Sequence, residues 1–239
     1  MHISSKSMTA FLPVRKGSQR IENKNTRKFS RFAGGLLEVK LLQLIGVEQI
    51  HEIILSTNDE ECLKIGELFN KKYKKIKVIR RPDNLCEDNT NLTDLVEYVP
   101  TVCSSDNILW THVTSPFCNS RDYGRAIVSY YNVVNGNNYD SLMSVKRFNG
   151  FLWNRDKNDI VNRVTEQKWP RTQDLAELYE IDNAIFIADR DIFKNMLDRI
   201  GRAPFLYQHE AIKSFDIDWE DDFKLAEIIF NGISYEDLF

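Results

Sequence analysis

The sequence has no long apolar run: nothing in it approaches the roughly 18 consecutive apolar residues that a membrane-spanning helix needs. Residues 1–7 are polar and lack the apolar stretch of a secretion signal. Cysteine is scarce. Cys62, Cys86, Cys103 and Cys118 form no CxxC pair and stand at no zinc-ligand spacing with histidine, so neither a disulfide framework nor a structural zinc site is expected. Reduced thiols in a soluble, cytoplasmic protein fit this usage better. Positive charge is not in excess either: a net charge of −3 gives no global attraction for nucleic acid or an anionic membrane. The ten glycines and six prolines are scattered, so no linker divides the chain. GxGxxG is missing, and so is GxxxxGK followed by serine or threonine, which removes two common glycine-rich phosphate loops.

What is present is an alternation of short apolar runs with helix-period patterns, the signature of a mostly parallel sheet covered by helices. Strands are expected over 9–14, 52–56, 75–79, 107–111 and 140–145, and helices over 36–46, 59–72, 91–103 and 122–134. The pattern loosens over 146–178, where Phe148, Trp153 and Trp169 mix with charges and turn residues; this reads as a β-rich arm. It resumes with a strand over 184–188, a helix over 190–200, a strand over 205–208 and a helix over 219–230. Three parts follow: an α/β core of residues 1–145, an arm of 146–178, and the remainder of the core, 179–239. Ligands of open α/β sheets bind beyond the carboxyl ends of the strands, and Arg15, Asn58, Thr114 and Asp140 are expected at such ends.

After the first strand comes a loop carrying Arg15, Lys16, Arg20, Lys24, Arg27, Lys28 and Arg31 against Glu22 alone. Gly17 allows a turn that points backbone N–H groups at phosphate oxygens, and arginine and lysine neutralise a triphosphate. Charge by itself leaves two further readings open, a solvated surface loop and a nucleic-acid patch, though the latter lacks interleaved aromatics. Near the other end, Asp216 and Asp218 stand two apart. On a strand that spacing puts both carboxylates on one face, where paired hard oxygens suit Mg²⁺; alternatively Asp218 caps the following helix.

Ordered motifs narrow these readings. The stretch from Leu12 to Asn25, LPVRKGSQRIENKN, resembles the PARxGSxRxxxKN signature of the acylneuraminate (CMP-sialic acid) cytidylyltransferases. LSTND at 55–59 is similar to that family's VSTDD, RPDNLCED at 81–88 to RPxxLAxD, and TSP at 114–116 to QPTSP. YDSLMSV at 139–145 and FDID at 215–218, followed by Ala226-Glu227, match two further motifs in the same order. The resemblance spans nearly the whole chain. It implies a Rossmann-like three-layer nucleotidyltransferase fold, mostly parallel, with a protruding dimerisation arm. It also implies transfer of a cytidylyl group from CTP to an acidic, sialic-acid-like sugar, with Mg²⁺ and a homodimer whose partner reaches into the site.

By the same resemblance Arg15 and Lys24 match triphosphate-binding positions aimed at the leaving pyrophosphate, and Ser18 and Asn25 shape their loop. Arg81, with Asp88 and Thr90, matches the loop that recognises cytosine, and Asp216 and Asp218 match metal ligands. Catalysis would rest on Arg15, Lys24, Asp216 and Asp218. The sugar side departs from the family. His112-Val113 replaces the glutamine before TSP; Trp153 stands where a lysine is expected; Asp182 and Phe186 replace an asparagine and a tyrosine. Ser115 and His112, Arg171 with Gln173, and Asp182 and Phe186 are the expected sugar contacts, with Arg171 paired to the sugar carboxylate. The related 3-deoxy-octulosonate cytidylyltransferases and a non-catalytic nucleotide- or sugar-binding protein are the rival readings.

Overall fold

The structure, a computed structural model, describes residues 7–17, 19–136 and 138–239. Ser18 lies outside the described residues. Seven strands form one sheet in the order β3-β2-β1-β4-β8-β5-β9. β1 (Met8–Val14) lies between β2 (Ile50–Thr57) and β4 (Asn107–Trp110), parallel to both, and β3 (Ile76–Arg80) extends the sheet beyond β2. β8 (Leu178–Asp189) runs antiparallel to β4 and β5 (Ser141–Phe148); β9 (Pro204–Gln208) pairs parallel with β5 at the edge. The result is the expected three-layer α/β fold with a mostly parallel sheet. Residues 179–189 pair with both β4 and β5, so the parts before and after the arm share one sheet.

Helices α1 (Gly35–Ile45), α2 (Glu60–Tyr73), α4 (Ser120–Asn135) and α6 (Glu220–Asn231) cover one face, where Leu36, Leu41, Tyr123, Phe223 and Phe230 join a single buried cluster. Helices α3 (Leu92–Val102) and α5 (Arg190–Met196) cover the other, burying Val96, Val99 and Phe193 against Phe11, Trp110 and Phe186. A last short helix, α7, spans Tyr235–Leu238. Starts follow capping chemistry: Asp59 accepts from Glu61 N at 2.8 Å, and Asn119 and Asp122 form a reciprocal capping box.

Three expectations need correction. Asp140 sits at the amino end of β5, where its carboxylate accepts from Arg202 N at 2.7 Å, at the sheet edge opposite Arg15. α5 ends at Met196 rather than at 200: Leu197 is left-handed (φ 54°), and Asp198 Oδ1 accepts from Arg199 N at 2.6 Å, turning the chain back over the sheet. Asp216 and Asp218 are in no strand; their segment is extended but held by only one backbone bond, Ile217 N to Thr114 O at 3.0 Å. α6 is capped by Asp222, whose Oδ2 accepts from Trp219 N at 2.7 Å, so Asp218 does not serve as the N-cap.

The arm grows out of the main sheet. β5 continues to Phe148 and β8 begins at Leu178, so the two pair through Arg147 and Tyr179. β8 is therefore twelve residues long, more than twice the apolar run read from the sequence. Its first half is solvated and hides the alternation. Beyond it, β6 (Trp153–Asn154) and β7 (Asp159–Ile160) make a small hairpin, and Asn162 pins its base by accepting from Leu152 N and donating to Gly150 O. Phe151 and Trp169 meet edge to face at 5.6 Å and stay exposed, as do Trp153 and Val164. All four cysteines are free and buried. Among the described residues no helix is long and apolar enough to cross a membrane.

Candidate functional site

The site begins where β1 outruns β4. The Phe11 carbonyl accepts from Thr111 N at 3.2 Å, so Pro13, two residues on, faces the same side after β4 has turned away. Proline lacks a donor and leaves no N–H unpaired there. A cleft of about 540 Å³ opens at that point, floored by Pro13 and Val14 and ringed by Arg15, Arg20, Lys24 and His112.

The basic loop is folded, not loose. Asn23, at φ 50°, lets its carbonyl accept from Thr26 N and Arg27 N, and Gly17, at φ +84°, makes the expected left-handed turn. Asn25 donates to Arg15 O at 3.2 Å and accepts at its own carbonyl from Leu37 N at 2.9 Å, which ties the loop to α1. Asn58, at the end of β2, accepts from Lys16 N at 2.9 Å.

The cations meet carboxylates. Lys24 Nζ donates to Ile217 O at 2.9 Å and lies 4.0 Å from Asp218 Oδ1. Arg20, in the loop but absent from the expected site, pairs with the same oxygen at 3.0 Å and stacks on Trp219. Burial lowers the Lys24 pKa, opposed by Asp218 and Asp216. Asp216 goes the other way: burial raises its pKa, and the neighbouring Asp218 charge adds to the rise. Its Oδ1 is buried without a hydrogen-bond partner. Across the mouth, Arg15 pairs with Asp88, whose pKa that contact holds down.

The other expected nucleotide residues are placed differently. Arg81 is buried, with Nε donating to Ser56 Oγ at 3.1 Å and Nη2 to Ser56 O at 2.6 Å, so it fastens its loop to β2. Thr90 Oγ1 donates to Asn84 O at 2.9 Å and closes the same loop. Of this group only Asp88 lines the cleft.

On the sugar side the structure separates the expected contacts. His112 lines the cleft; its Nε2 accepts from Trp110 Nε1 at 3.0 Å, which leaves the ring proton on Nδ1. Burial, then the Arg199 charge, pushes its pKa down to about 3, which favours the neutral ring. Three expectations fail. Ser115 is fully buried under its loop. Asp182 is spent on Ser144, Ser214, His209 and Ala184 N, and its pKa is held down by those bonds against its burial. Phe186 packs in the core against Trp110 and Phe193. Phe186 and Asp182 are both in β8 and are buried by their neighbours, whereas Ser115 is buried in the loop after β4. Arg171 and Gln173 lie in the arm, exposed, with Arg171 forked on Asp174 at 2.8 and 3.2 Å.

Lys40 is a supporting residue that motif reading passed over. It is fully buried on α1, and its ammonium donates to Ser115 O at 2.8 Å, Cys118 O at 3.3 Å and Tyr123 Oη at 2.6 Å. It thereby braces the 114–118 turn whose Thr114 carbonyl holds Ile217 between the two aspartates. The signal was in the sequence: one lysine inside the apolar stripe Leu36, Leu37, Leu41, Leu44.

The chain is 25% identical over 217 residues to an N-acylneuraminate cytidylyltransferase of Streptococcus agalactiae, covering 89% of this chain and 50% of that protein. It thus spans about half the length of that relative. It is 24% identical over 229 residues to the post-translational flagellin modification protein B of Campylobacter coli, covering 90% and 92%. Among solved structures, CMP:2-keto-3-deoxy-manno-octonic acid synthetase complexed with CTP superposes with TM-score 0.65 at 14% identity, over 95% of this chain and 99% of that one. A 4-diphosphocytidyl-2C-methyl-D-erythritol synthase from Anaerococcus prevotii does so with TM-score 0.65 at 13% identity, over 95% and 99%. These likenesses carry the fold. The family model for cytidylyltransferases matches residues 9–236, and the chain belongs to that family.

Proposed function

We propose that this chain transfers the cytidylyl group of CTP to an acidic, sialic-acid-like 2-keto sugar and releases pyrophosphate. The observation that carries the reading is the contact of the cleft-lining Arg20 and Lys24 with the Asp216–Asp218 segment, 193 residues apart in sequence at the Lys24–Ile217 bond. The acceptor's anomeric hydroxyl attacks the α-phosphate in line, and the bond to the departing pyrophosphate breaks. Such chemistry needs positioning and charge neutralisation more than covalent catalysis. Arg15 and Lys24 face the charge that develops on the leaving group. Arg15's present partner Asp88 releases it when phosphate arrives. Arg81, Asp88 and Thr90 shape the loop read as the cytosine side.

The carboxylates suit Mg²⁺. The orphaned, buried Oδ1 of Asp216 is an oxygen awaiting a cation, and Asp218 adds a second within the same segment. Mg²⁺ is commonly held by one or two carboxylates with substrate phosphates and water completing its shell. When bound it would polarise the phosphate and screen its charge. The relatives named N-acylneuraminate cytidylyltransferase support a nonulosonic acceptor. His112 and Trp153, both departures from the sialic pattern, favour a modified nonulosonic acid over plain N-acetylneuraminate. The exposed aromatics of the arm suit a homodimer interface, through which Arg171 and Gln173 of one subunit would serve the other's site.

Pyrophosphate release with CTP, Mg²⁺ and a panel of 2-keto acid sugars tests the reading. Release is expected, and its loss in Arg15→Ala with an unchanged unfolding profile. Absence of release with every acid sugar, octulosonate included, refutes it.

A further inference from the structure

Arg199 has no part in the proposed function, yet its guanidinium makes little use of its donors. It forms no ion pair among the described residues. Its guanidinium lies on the Phe186 ring, 3.8 Å from the centroid, and 5.5 Å from that of Trp110. Its one side-chain hydrogen bond is a long one, 3.4 Å to Asn183 Oδ1, with Asn183 itself in the left-handed region at φ 57°. Arginine has five N–H donors in a planar fork, and nearly all are left for a ligand.

The position is built rather than accidental. α5 stops short because Leu197 is left-handed and Asp198 turns the chain, and this turn lays Arg199 across β8. The ring beneath it fixes the plane of the guanidinium. Burial lowers its pKa to about 10, with only Asp198 opposing, so the charge persists at neutral pH without a partner to compensate it. Among the cations that depress His112, Arg199 acts most strongly, ahead of Lys24. Trp110 touches both residues, by a hydrogen bond on one side and a ring face on the other. β8, whose Phe186 carries Arg199, neighbours β4 on the side away from β1, the strand that leads to Arg15.

Resting on the proposed function, we infer that Arg199 receives the carboxylate of the acceptor sugar, with His112 Nδ1–H as the neighbouring neutral donor. A planar oxyanion matches the planar fork, and a half-buried cation with aromatic backing gives such a pair more strength than it would have in open solvent. Arg171, exposed on the arm and paired with Asp174, is the residue proposed above to serve a partner subunit's site.

The test uses the full-length protein with CTP, Mg²⁺ and N-acetylneuraminate or 3-deoxy-octulosonate, whichever the wild type turns over, each also as its C1 methyl ester. Arg199→Met is expected to raise KM for the acid by about 10- to 100-fold while KM for CTP stays within about twofold. The wild type should prefer acid over ester, and the variant should lose that preference; a merely structural role would leave it intact. Arg199→Lys, which keeps charge but not the fork, should recover part of the affinity and guards against a variant that does not fold. An acceptor KM unchanged in Arg199→Met overturns the inference alone. So does a shift in dimer dissociation with acid-over-ester preference retained, which would assign Arg199 to a second copy of the chain. No turnover of any acid sugar by the wild type overturns the proposed function and this inference with it.

Discussion

Replacing Lys40 by methionine removes a buried ammonium and its three hydrogen bonds; the Tyr123 hydroxyl keeps Thr111 Oγ1 at 2.8 Å and the Ser115 carbonyl keeps Cys118 N at 3.4 Å, while the Cys118 carbonyl loses its donor. A hydrogen bond to a charged group contributes about 1.5–3 kcal/mol. Against that, the variant is spared the desolvation of a charge, which pushes the Lys40 pKa down to about 8 from 10.5. The balance is a destabilisation of about 2 kcal/mol at pH 7, or roughly 5 °C in Tm for a chain of this size. The pH dependence is more diagnostic. Below pH 8 the lysine is protonated in folded and unfolded chains alike. Between 8 and 10.5 the folded lysine is neutral while the unfolded one still holds its proton, so unfolding takes up a proton and rising pH favours the folded state. The wild type should therefore gain about 2.5 kcal/mol on Lys40→Met between pH 7 and pH 10. Burial holds the Cys118 thiol up at about 12, and unfolded cysteines titrate equally in both proteins, so this group cancels in the difference. Urea unfolding followed by circular dichroism at the two pH values measures the gap. A gap that stays constant, or narrows, refutes the argument that burial of the ammonium governs Lys40.

Asp216→Asn keeps the shape of a buried side chain and removes its charge; pyrophosphate release should fall at least 100-fold, with the Mg²⁺ concentration for half-maximal rate raised, while Tm moves by less than about 3 °C. With its pKa down near 3, His112 does not titrate between pH 5 and 9; His112→Gln should lower the rate yet leave the shape of the pH–rate profile unchanged, and a lost inflection near pH 6.5 would show the ring acting as an acid or base. Trp153→Ser with Trp169→Ser, both exposed on the arm, should shift the species seen by sedimentation from dimer toward monomer with little change in monomer stability.

Much of this was legible in advance. The strands were found within a few residues because buried parallel strands are continuous apolar runs, as in Ala10–Leu12 and Ile53–Leu55, and because Asp59 and Asn91 announce their helices. The second strand pair of the arm base was not, since Leu178–Ile181 is solvated and has no alternation to read. Motif order also brought Arg15, Lys24, Asn25, Asp216 and Asp218 to attention together, and they do converge. It passed over Arg20, Lys40 and Arg199, whose roles come from contacts across the fold.

By itself, then, the sequence determined the layers and which end of the sheet carries the charge, because burial periodicity and local capping are short-range and written residue by residue. It could not say what each side chain meets in the folded chain. Asp182, Phe186 and Ser115 look like sugar contacts in line, and packing turns all three inward. Arg199 looks like a helix surface residue, and a left-handed Leu197 lets it lie on the Phe186 ring beside Trp110. Those orientations are fixed by contacts between segments tens of residues apart, Ser144 to Asp182, Lys40 to Ser115 and Trp110 to Phe186 among them, and only the tertiary structure holds that information.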